Sequence, residues 1–368
     1  MNIGVDISQA VYPGTGVSRF TNGFIDAILE YGKSHTWTFF LYALRQKLDE
    51  DKERLIREKG SRLVKIPLSP RMLSFATNTL RPFSKPFFNH ISNSHNLDWM
   101  ITSDWTEPPY PCKKATIVHD LVFRRFPKTV HPIILKAQEQ RLTLVAQESK
   151  VIFTDSRSTA DDLKEYYGVH DNRIRVNYPG LSPISISEKT QIPKSLRSIP
   201  QSFILTVGKW EPRKNIPLLI DAYQEWKKTT PSAPALVIVG PDGWGESPVS
   251  NDPDIHIVSF VRDEDLGLLY QNALFFILPS LYEGFGYPIL EAMSLNCPVA
   301  TSNTSSLAEI AKDHALLFDP HSKEEMISSM QRLFQEPTLR TKLSKEGHEY
   351  SQTFSWEKYM KTVLQALT

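Results

Sequence analysis

Short apolar runs alternate with longer stretches of helical periodicity along the whole chain. The runs are rich in Val, Ile, Leu and aromatic residues, which is typical of buried strands. Strands are predicted at residues 3–7, 37–41, 99–102, 115–119, 151–154, 174–177, 203–207, 235–239, 255–259, 274–278, 298–301 and 316–318. Helices are predicted at residues 17–31, 133–148, 158–167, 216–228, 323–334, 338–353 and 356–366. This alternation predicts an α/β protein with parallel sheets flanked by helices.

The alternation divides the chain into two similar units. Residues 183–202 are rich in Pro, Ser and Ile without a clear period, so we interpret them as a linker. The first domain is then residues 1–182 and the second is residues 203–353, with residues 354–368 as a closing helix. Each domain is predicted to be a Rossmann-like, doubly wound parallel sheet. Ligands of such sheets bind beyond the carboxyl ends of the strands, so we expect the site in a cleft between the domains.

Composition narrows the class of protein. Of the 368 residues, 40% are hydrophobic and 23% are charged, as in an ordinary globular protein. The amino terminus resembles a first strand and lacks the basic and apolar regions of a signal peptide. The two cysteines, Cys112 and Cys297, do not form a C-x-x-C pair. These features predict a cytoplasmic protein without a disulfide framework or a zinc site.

Charge is distributed unevenly between the halves. Residues 1–182 hold 25 basic and 19 acidic residues, and residues 183–368 hold 17 and 22. A mildly basic first half suits an anionic membrane surface or an anionic acceptor, and it is too weak to predict nucleic-acid binding. Residues 71–88 mix basic and bulky apolar side chains. They predict either a peripheral contact with the inner face of a membrane or a helix or loop packed on the sheet.

The segment 278–292 carries the most informative motif. An apolar strand leads into a turn with Gly284 and Gly286, and a helix begins near Pro288, where a proline costs no hydrogen bond. Glu283 lies in the turn and Glu291 is expected in the first helical turn. Carboxylates that bind hydroxyls beside backbone amides that bind phosphates would suit a sugar nucleotide. The alternative is a purely structural strand–turn–helix connection whose glutamates are exposed to solvent.

Three further segments carry candidate chemistry. After residues 203–207, cations accompany a helix start, which suits a diphosphate; the candidates are Gly208, Lys209, Arg213 and Lys214. A glycine loop follows the first strand, with the candidates Gly14, Gly16 and Arg19. His119 and Asp120 end another strand, where a structural role for the histidine is the alternative. Asp120 would orient the imidazole, contact an acceptor or cap the loop.

The spacing Glu283-x7-Glu291 resembles the E-x7-E motif of retaining glycosyltransferases of family 4, which adopt the GT-B fold. The resemblance implies that Glu291 holds the ribose hydroxyls of a donor nucleotide and that Glu283 contacts the donor sugar. It also implies that the backbone of Gly284, Phe285 and Gly286 supports sugar and phosphate. The fold so implied has two facing Rossmann-like domains, with the closing helix packed back toward the first.

Other positions resemble the same family. Lys214 matches a lysine that neutralises the leaving diphosphate, while Lys209 stands where an arginine is usual, so Arg213 is the other candidate for that role. His119 matches a histidine that touches the donor sugar. Further matches concern the glycine loop of the first domain and the loops that frame the nucleotide; these residues are Gly14, Gly16, Arg19, Gly240, Phe260 and Val261.

The resemblance implies a metal-independent hexosyltransferase whose donor substrate is a nucleotide diphosphate sugar, of the UDP-glucose or GDP-mannose type. The acceptor implied is a saccharide or a lipid-linked saccharide of a surface polysaccharide. No cofactor, metal or nucleic-acid partner is expected. The literal D-x-D spacings, at Asp49 and at Asp252, lie in a charged helix stretch and a turn. The alternatives are a glycogen- or sucrose-forming transferase, a sugar-nucleotide epimerase and a non-catalytic sugar-nucleotide sensor.

Overall fold

The computed structural model describes residues 1–103, 105–184, 199–243, 249–259 and 261–368. These residues form two compact units. The first comprises Met1–Pro127, His131–Gly180 and Ser355–Thr368, and the second comprises Leu181–Phe354 with Lys128–Val130. Most of the predicted linker, residues 185–198, lies outside the described residues, while Leu181, Ile184 and Ile199 pack against the core of the second unit.

The described part of the first unit contains a seven-stranded parallel sheet in the order β3-β2-β1-β4-β5-β6-β7. Its strands are β1 (Asn2–Asp6), β2 (Thr36–Tyr42), β3 (Arg62–Ile66), β4 (Trp99–Ser103), β5 (Lys113–Val118), β6 (Val151–Thr154) and β7 (Ile174–Val176). Its helices are α1 (Gly16–Tyr31), α2 (Glu50–Glu58), α3 (Pro70–Ser74), α4 (Arg81–Ser94), α5 (Val122–Arg125), α6 (Pro132–Glu148) and α7 (Arg157–Tyr167). The order reverses direction between β1 and β4, which is where doubly wound sheets bind ligands.

The second unit repeats this plan with six described parallel strands in the order β10-β9-β8-β11-β12-β13. They are β8 (Phe203–Val207), β9 (Ala235–Val239), β10 (Ile255–Val258), β11 (Phe275–Leu278), β12 (Val299–Ser302) and β13 (Leu316–Phe318). Its helices are α8 (Ile216–Thr229), α9 (Asp263–Asn272), α10 (Tyr287–Ser294), α11 (Ser305–Ala311), α12 (Lys323–Gln335) and α13 (Pro337–Ser351). Here the order reverses between β8 and β11.

The closing helix α14 (Trp356–Leu367) belongs to the first unit, where it packs on α1. The ring of Phe20 meets Trp356 at 5.5 Å and Tyr359 at 5.6 Å between centroids. Gly23 makes this approach feasible, because a Cβ there would lie 2.2 Å from the indole of Trp356. The predicted return of the last helix to the first domain is confirmed.

Helix α4 overlaps the segment 71–88, for which the sequence left a helix and a loop as alternatives. Pro82 and Pro86 lie inside Arg81–Ser94, and a proline within a helix costs about 3 kcal/mol. Pro82 falls in the first turn, where a missing N–H is tolerated. Phe88 and Ile91 are buried against the sheet, and this packing offsets the cost of Pro86.

In the part of the chain that the structure describes, each helix is too short or too polar to cross a membrane.

Candidate functional site

Two loops of the second unit lie beside each other because their strands are neighbours. Residues 208–215 follow β8, residues 279–286 follow β11, and the two strands pair at the point where the strand order reverses. The backbone N–H of Leu281 donates to the carbonyl of Arg213 at 2.7 Å. The two candidate segments, which were identified separately in the sequence, therefore lie together in this unit.

Glu283 is the centre of that site. Its Oε1 accepts from Lys214 Nζ at 2.5 Å and from Ser280 Oγ at 2.7 Å. Its Oε2 accepts from Arg213 Nη1 at 2.6 Å, and the same guanidinium binds Glu211 at 2.8 Å. Ser280 was not a sequence candidate, because a lone serine after a strand gives no distinctive signal.

Burial and charge act in opposite directions on this cluster. Burial by itself would raise the pKa of Glu283, but the cations of Arg213 and Lys214 outweigh it and lower the pKa to about 2. Burial lowers the pKa of the Lys214 ammonium, and Glu283 opposes that shift. Glu283 is therefore ionised at neutral pH. Its two cationic neighbours are held in place before any ligand binds.

We expect Glu283→Gln to destabilise the protein at pH 7 by about 3 kcal/mol, because it leaves two cations with a neutral partner. A carboxyl with a pKa lowered from 4.5 to about 2 stabilises the fold fully above pH 4.5 and loses that effect as pH falls toward 2. The stability difference between wild type and variant should therefore shrink as the pH approaches 2.

Urea unfolding at a series of pH values measures this difference. Glu225→Gln is the matched control, because Glu225 forms an exposed ion pair with Lys323 at 2.5 Å and should change stability little. A Glu283→Gln variant with a constant deficit from pH 7 to pH 2 would contradict the pKa argument.

The glycine turn after β11 is fixed by neighbouring serines. Gly286 directly precedes α10 and has a φ of +103°. Residues with a Cβ rarely adopt this backbone conformation. Ser306 Oγ donates to the carbonyls of Glu283 at 2.8 Å and Phe285 at 3.0 Å. The Glu283 N–H donates to Ser305 Oγ at 3.0 Å. The Phe285 side chain is buried in the core, so a contact with a ligand would come from its backbone.

Glu291 is buried below this turn. It lies one residue into the second turn of α10 rather than in the first turn, which corrects the predicted position. Only 1% of the residue is exposed, and the hydroxyl of Tyr270 donates to its Oε2 at 3.2 Å. A buried carboxylate requires such donors, because an unsatisfied one is costly.

Gly208 and Gly240 allow close backbone packing. A Cβ on Gly240 would lie 1.9 Å from the Gly208 carbonyl oxygen, and one on Gly208 would lie 3.2 Å from Lys214. Their N–H groups donate to Val239 and Val258, so these amides are engaged in the sheet. Any role toward a nucleotide would therefore rest on close approach of the backbone.

The remaining candidates of the second unit are two half-buried residues and one that lies outside the described residues. Lys209 is half-buried in the loop after β8, next to Gly208. Val261 is half-buried and packs against the core. Phe260 lies outside the described residues.

Local contacts hold the glycine loop of the first unit. Gly14 has a φ of +80°, and Thr15 caps α1 by accepting from the Ser18 N–H at 3.1 Å. A Cβ on Gly14 or Gly16 would meet nothing within 4 Å, so the backbone is open to approach there. Arg19 lies in the first turn of α1, whose start follows the loop after β1.

His119 lies at the carboxyl end of the first sheet, just after β5. Its Nδ1 lies 2.6 Å from Asp155 Oδ2, and its Nε2 lies 3.2 Å from Ser103 Oγ. Asp120 accepts a hydrogen bond from the Val122 N–H at 2.9 Å. It therefore caps the loop, which is one of the three roles predicted for it. Burial raises the pKa of Asp155 and His119 opposes that shift. Asp155 and Ser103 were not sequence candidates.

Metal ligands are not clustered within the described ranges: no group of three or more His, Cys, Asp or Glu could hold an ion there. The residues of the two D-x-D spacings have other partners. Asp49 caps α2 by accepting from two backbone N–H groups, and Asp252 pairs with Lys227 at 2.6 Å.

Comparison with known proteins adds independent information. A family model of glycosyl transferases group 1 matches residues 187–350. The O-antigen chain mannosyltransferase B of Escherichia coli is 30% identical over 261 residues, which cover 68% of this chain and 68% of that protein. Sucrose-phosphate synthase of Thermosynechococcus elongatus superposes with a TM-score of 0.72 at 17% identity, covering 99% of this chain and 98% of that one. Anabaena HepE, solved with UDP and glucose, superposes with a TM-score of 0.70 at 15% identity, covering 100% and 99%.

The chain belongs to the group 1 glycosyl transferases, and it is a transferase of the GT-B type. The similarity to the mannosyltransferase shows membership of the family. The two structures, at 17% and 15% identity, show similarity of the fold alone. The predicted family and the predicted class of fold are confirmed.

Proposed function

We propose that this chain transfers a hexose from a nucleotide diphosphate sugar to a saccharide or lipid-linked saccharide acceptor during synthesis of a surface polysaccharide. The observation that carries the proposal is the buried cluster of Lys214, Arg213 and Glu283 beside the start of α8. Two fixed cations suit a leaving diphosphate, and a fixed carboxylate suits sugar hydroxyls.

The proposed roles follow the family motif. Glu291 binds the ribose hydroxyls, Glu283 orients the sugar, and the backbone of residues 284–286 approaches sugar and phosphate. Lys214 and Arg213, aided by Lys209, neutralise the diphosphate. In the first unit, His119 contacts the sugar and Gly16 approaches the diphosphate. The acceptor is bound near Gly14, Arg19 and Asp120.

We propose that transfer retains configuration and requires no metal ion. In this proposal Lys214 and Arg213, aided by Lys209, take the place of a divalent cation toward the diphosphate. The bond between the anomeric carbon of the sugar and the diphosphate oxygen breaks as the acceptor oxygen forms the new glycosidic bond. An oxygen of the leaving phosphate can take the proton of the acceptor hydroxyl. A separate carboxylate base is then unnecessary, which agrees with Glu283 being held as an ionised hydrogen-bond acceptor.

The donor is either of the UDP-glucose or of the GDP-mannose type. HepE binds UDP and glucose, whereas the E. coli relative is a mannosyltransferase, so the similarities support both types. A thermal-shift panel of UDP, GDP, TDP and ADP with their sugars would identify the base. Slow hydrolysis of the bound donor without acceptor would support an enzyme, and tight binding without turnover would support a sensor instead.

We further propose that an exposed apolar stripe of the first unit contacts a membrane. The stripe follows α3, a π-helical turn (Phe75–Thr79) and α4. Phe83 is 82% exposed, and the other large apolar side chains of the stripe are at least 40% exposed; they are Met72, Phe75, Leu80 and Phe87. A helical stripe of this kind is typical of segments that lie in a bilayer interface.

The positive charge of the segment around the stripe favours a membrane with an anionic surface. Residues 59–97 contain six Lys or Arg residues and no Asp or Glu. Arg71 is exposed next to Met72, at the start of the stripe. Lys85 is exposed on a different face of α4, where it lines a cavity with Arg81 and Glu148. Arg81 is not part of this surface, because its guanidinium binds the carboxylate of Glu148 and the carbonyls of Thr77 and Glu107.

We expect the double variant Phe83→Ser, Phe87→Ser to reduce binding to anionic vesicles at least tenfold, since each buried phenylalanine contributes roughly 1.5–3 kcal/mol. Vesicle co-sedimentation measures this, with Val249→Ser as a control because Val249 is 81% exposed in the other unit. Wild-type binding should weaken at high salt. Equal binding by the double variant, or equal binding to neutral vesicles, would contradict this surface.

A further inference from the structure

Three side chains of the first unit form a chain of hydrogen bonds at the carboxyl ends of adjacent strands. Ser103 ends β4, His119 follows β5 and Asp155 follows β6. The distances are 3.2 Å from Ser103 Oγ to His119 Nε2 and 2.6 Å from His119 Nδ1 to Asp155 Oδ2. Because β4, β5 and β6 are neighbours in the sheet, the three residues meet although they are far apart in sequence.

The chemistry of Asp155 determines where the imidazole carries its proton. When it is ionised, the Asp155 carboxylate only accepts hydrogen bonds, and the hydrogen of the pair then lies on Nδ1. A neutral His119 then has its lone pair on Nε2. Asp155 is only 3% exposed, and its other oxygen, Oδ1, has no hydrogen-bond partner among the described residues. Among the described residues, His119 is therefore the one hydrogen-bond partner of the Asp155 carboxylate.

The ring of His119 is also fixed in orientation. The edge of Phe20 from α1 packs against it, with centroids 4.7 Å apart. The Thr159 hydroxyl donates to the His119 carbonyl at 3.3 Å. The imidazole therefore has a fixed plane, a fixed proton on Nδ1 and an acceptor atom on the side of Ser103.

We infer that Asp155 is a positioning residue that holds His119 in the Nδ1–H tautomer, so that Nε2 accepts a hydrogen bond from a hydroxyl of the transferred sugar. In that tautomer Ser103 Oγ donates to Nε2 across 3.2 Å, and the sugar hydroxyl replaces or joins it. This inference rests on the proposed function, because it gives His119 a sugar as its ligand. Loss of the carboxylate would let the other tautomer form, whose Nε2–H repels a donating hydroxyl.

Asp155→Asn tests the inference in the full-length chain. Side-chain ¹⁵N NMR of His119, assigned by comparison with His119→Gln, should report Nδ1–H in the wild type and a mixture of tautomers in Asp155→Asn. Turnover should fall about 10- to 100-fold, as is usual when the group that orients a functional histidine is removed. Affinity for the nucleoside diphosphate alone should stay within threefold.

Asp162→Asn is the matched control, because Asp162 is a buried carboxylate of α7 that pairs with Arg125 at 2.5 Å. It should leave the His119 tautomer and the turnover unchanged. An Nε2–H tautomer in the wild type would overturn the inference whatever the activity. An altered tautomer in Asp155→Asn with normal turnover would overturn it too, and would leave the proposed function intact. Absence of transfer with every donor would instead refute the proposed function, while the tautomer remained measurable.

Labelling of Ser103 by a fluorophosphonate would also overturn the inference. It would show that the serine, the histidine and the aspartate act as a nucleophilic triad. We expect that the reagent does not label Ser103 and that the tautomer of His119 changes in Asp155→Asn.

Discussion

Glu291→Ala should weaken binding of the donor nucleotide by about 2–4 kcal/mol, which corresponds to roughly 30- to 1000-fold in Kd. A carboxylate that accepts two ribose hydroxyls makes charge-assisted hydrogen bonds, and alanine removes both. Glu291 is buried in α10 beside Tyr270, so its carboxylate has a fixed position before the nucleotide binds. Isothermal calorimetry with the nucleoside diphosphate measures the loss directly.

Glu291→Gln should lose less affinity, because its amide oxygen still accepts one hydrogen bond. Glu349→Ala is a suitable control, since Glu349 is an exposed acid on α13 of the same unit. Thermal melting of each variant separates lost affinity from lost folding. Unchanged affinity in a folded Glu291→Ala variant would show that the ribose role is wrong.

Lys214→Ala should lower turnover by about 10²-fold or more. Lys214 is a buried cation at the proposed leaving group, and loss of one charge partner in the transition state has effects of this size. Arg213 cannot fully replace it, because its guanidinium also binds Glu211 and Glu283. Steady-state transfer assays with a saturating acceptor provide the measurement.

The same assay tests the proposed metal independence. Transfer by the wild type should persist in EDTA, since Lys214 and Arg213 provide the charge that a metal ion would supply. Lys228→Ala, an exposed lysine on α8, should behave as the wild type. Activity that is abolished by EDTA and restored by manganese would contradict the role proposed for these cations.

The alternation of strands and helices was readable from sequence because each element carries its own local signal. Buried parallel strands are short, continuous apolar runs, and helices show a 3.6-residue period. The start of α1 and the turn before α10 were likewise predicted, since Thr15, Gly286 and Pro288 act on their own neighbours. The motif around Glu283 and Glu291 was found for the same reason, as both residues lie on one loop and the helix that follows it.

Some elements were missed or left undecided, because their local sequence signals were weak or favoured another structure. Helix α4 contains Pro86, which local rules assign to a helix break, and only burial of Phe88 and Ile91 explains the helix. Strand β3 is half-exposed at several positions, and its apolar run is interrupted by Lys65. In both cases tertiary packing outweighs intrinsic preference.

The sequence by itself determined the class of fold, the family and most of the candidate residues, because these depend on local periodicity and on motifs of adjacent residues. Only the tertiary structure decided which of these residues lie together. Lys214 reaches Glu283 across 69 positions, and His119 reaches Asp155 across 36. Those pairs form because β8 lies beside β11 and β5 lies beside β6. The order of strands in a sheet depends on crossover connections and on the packing of the whole unit, which no local pattern encodes.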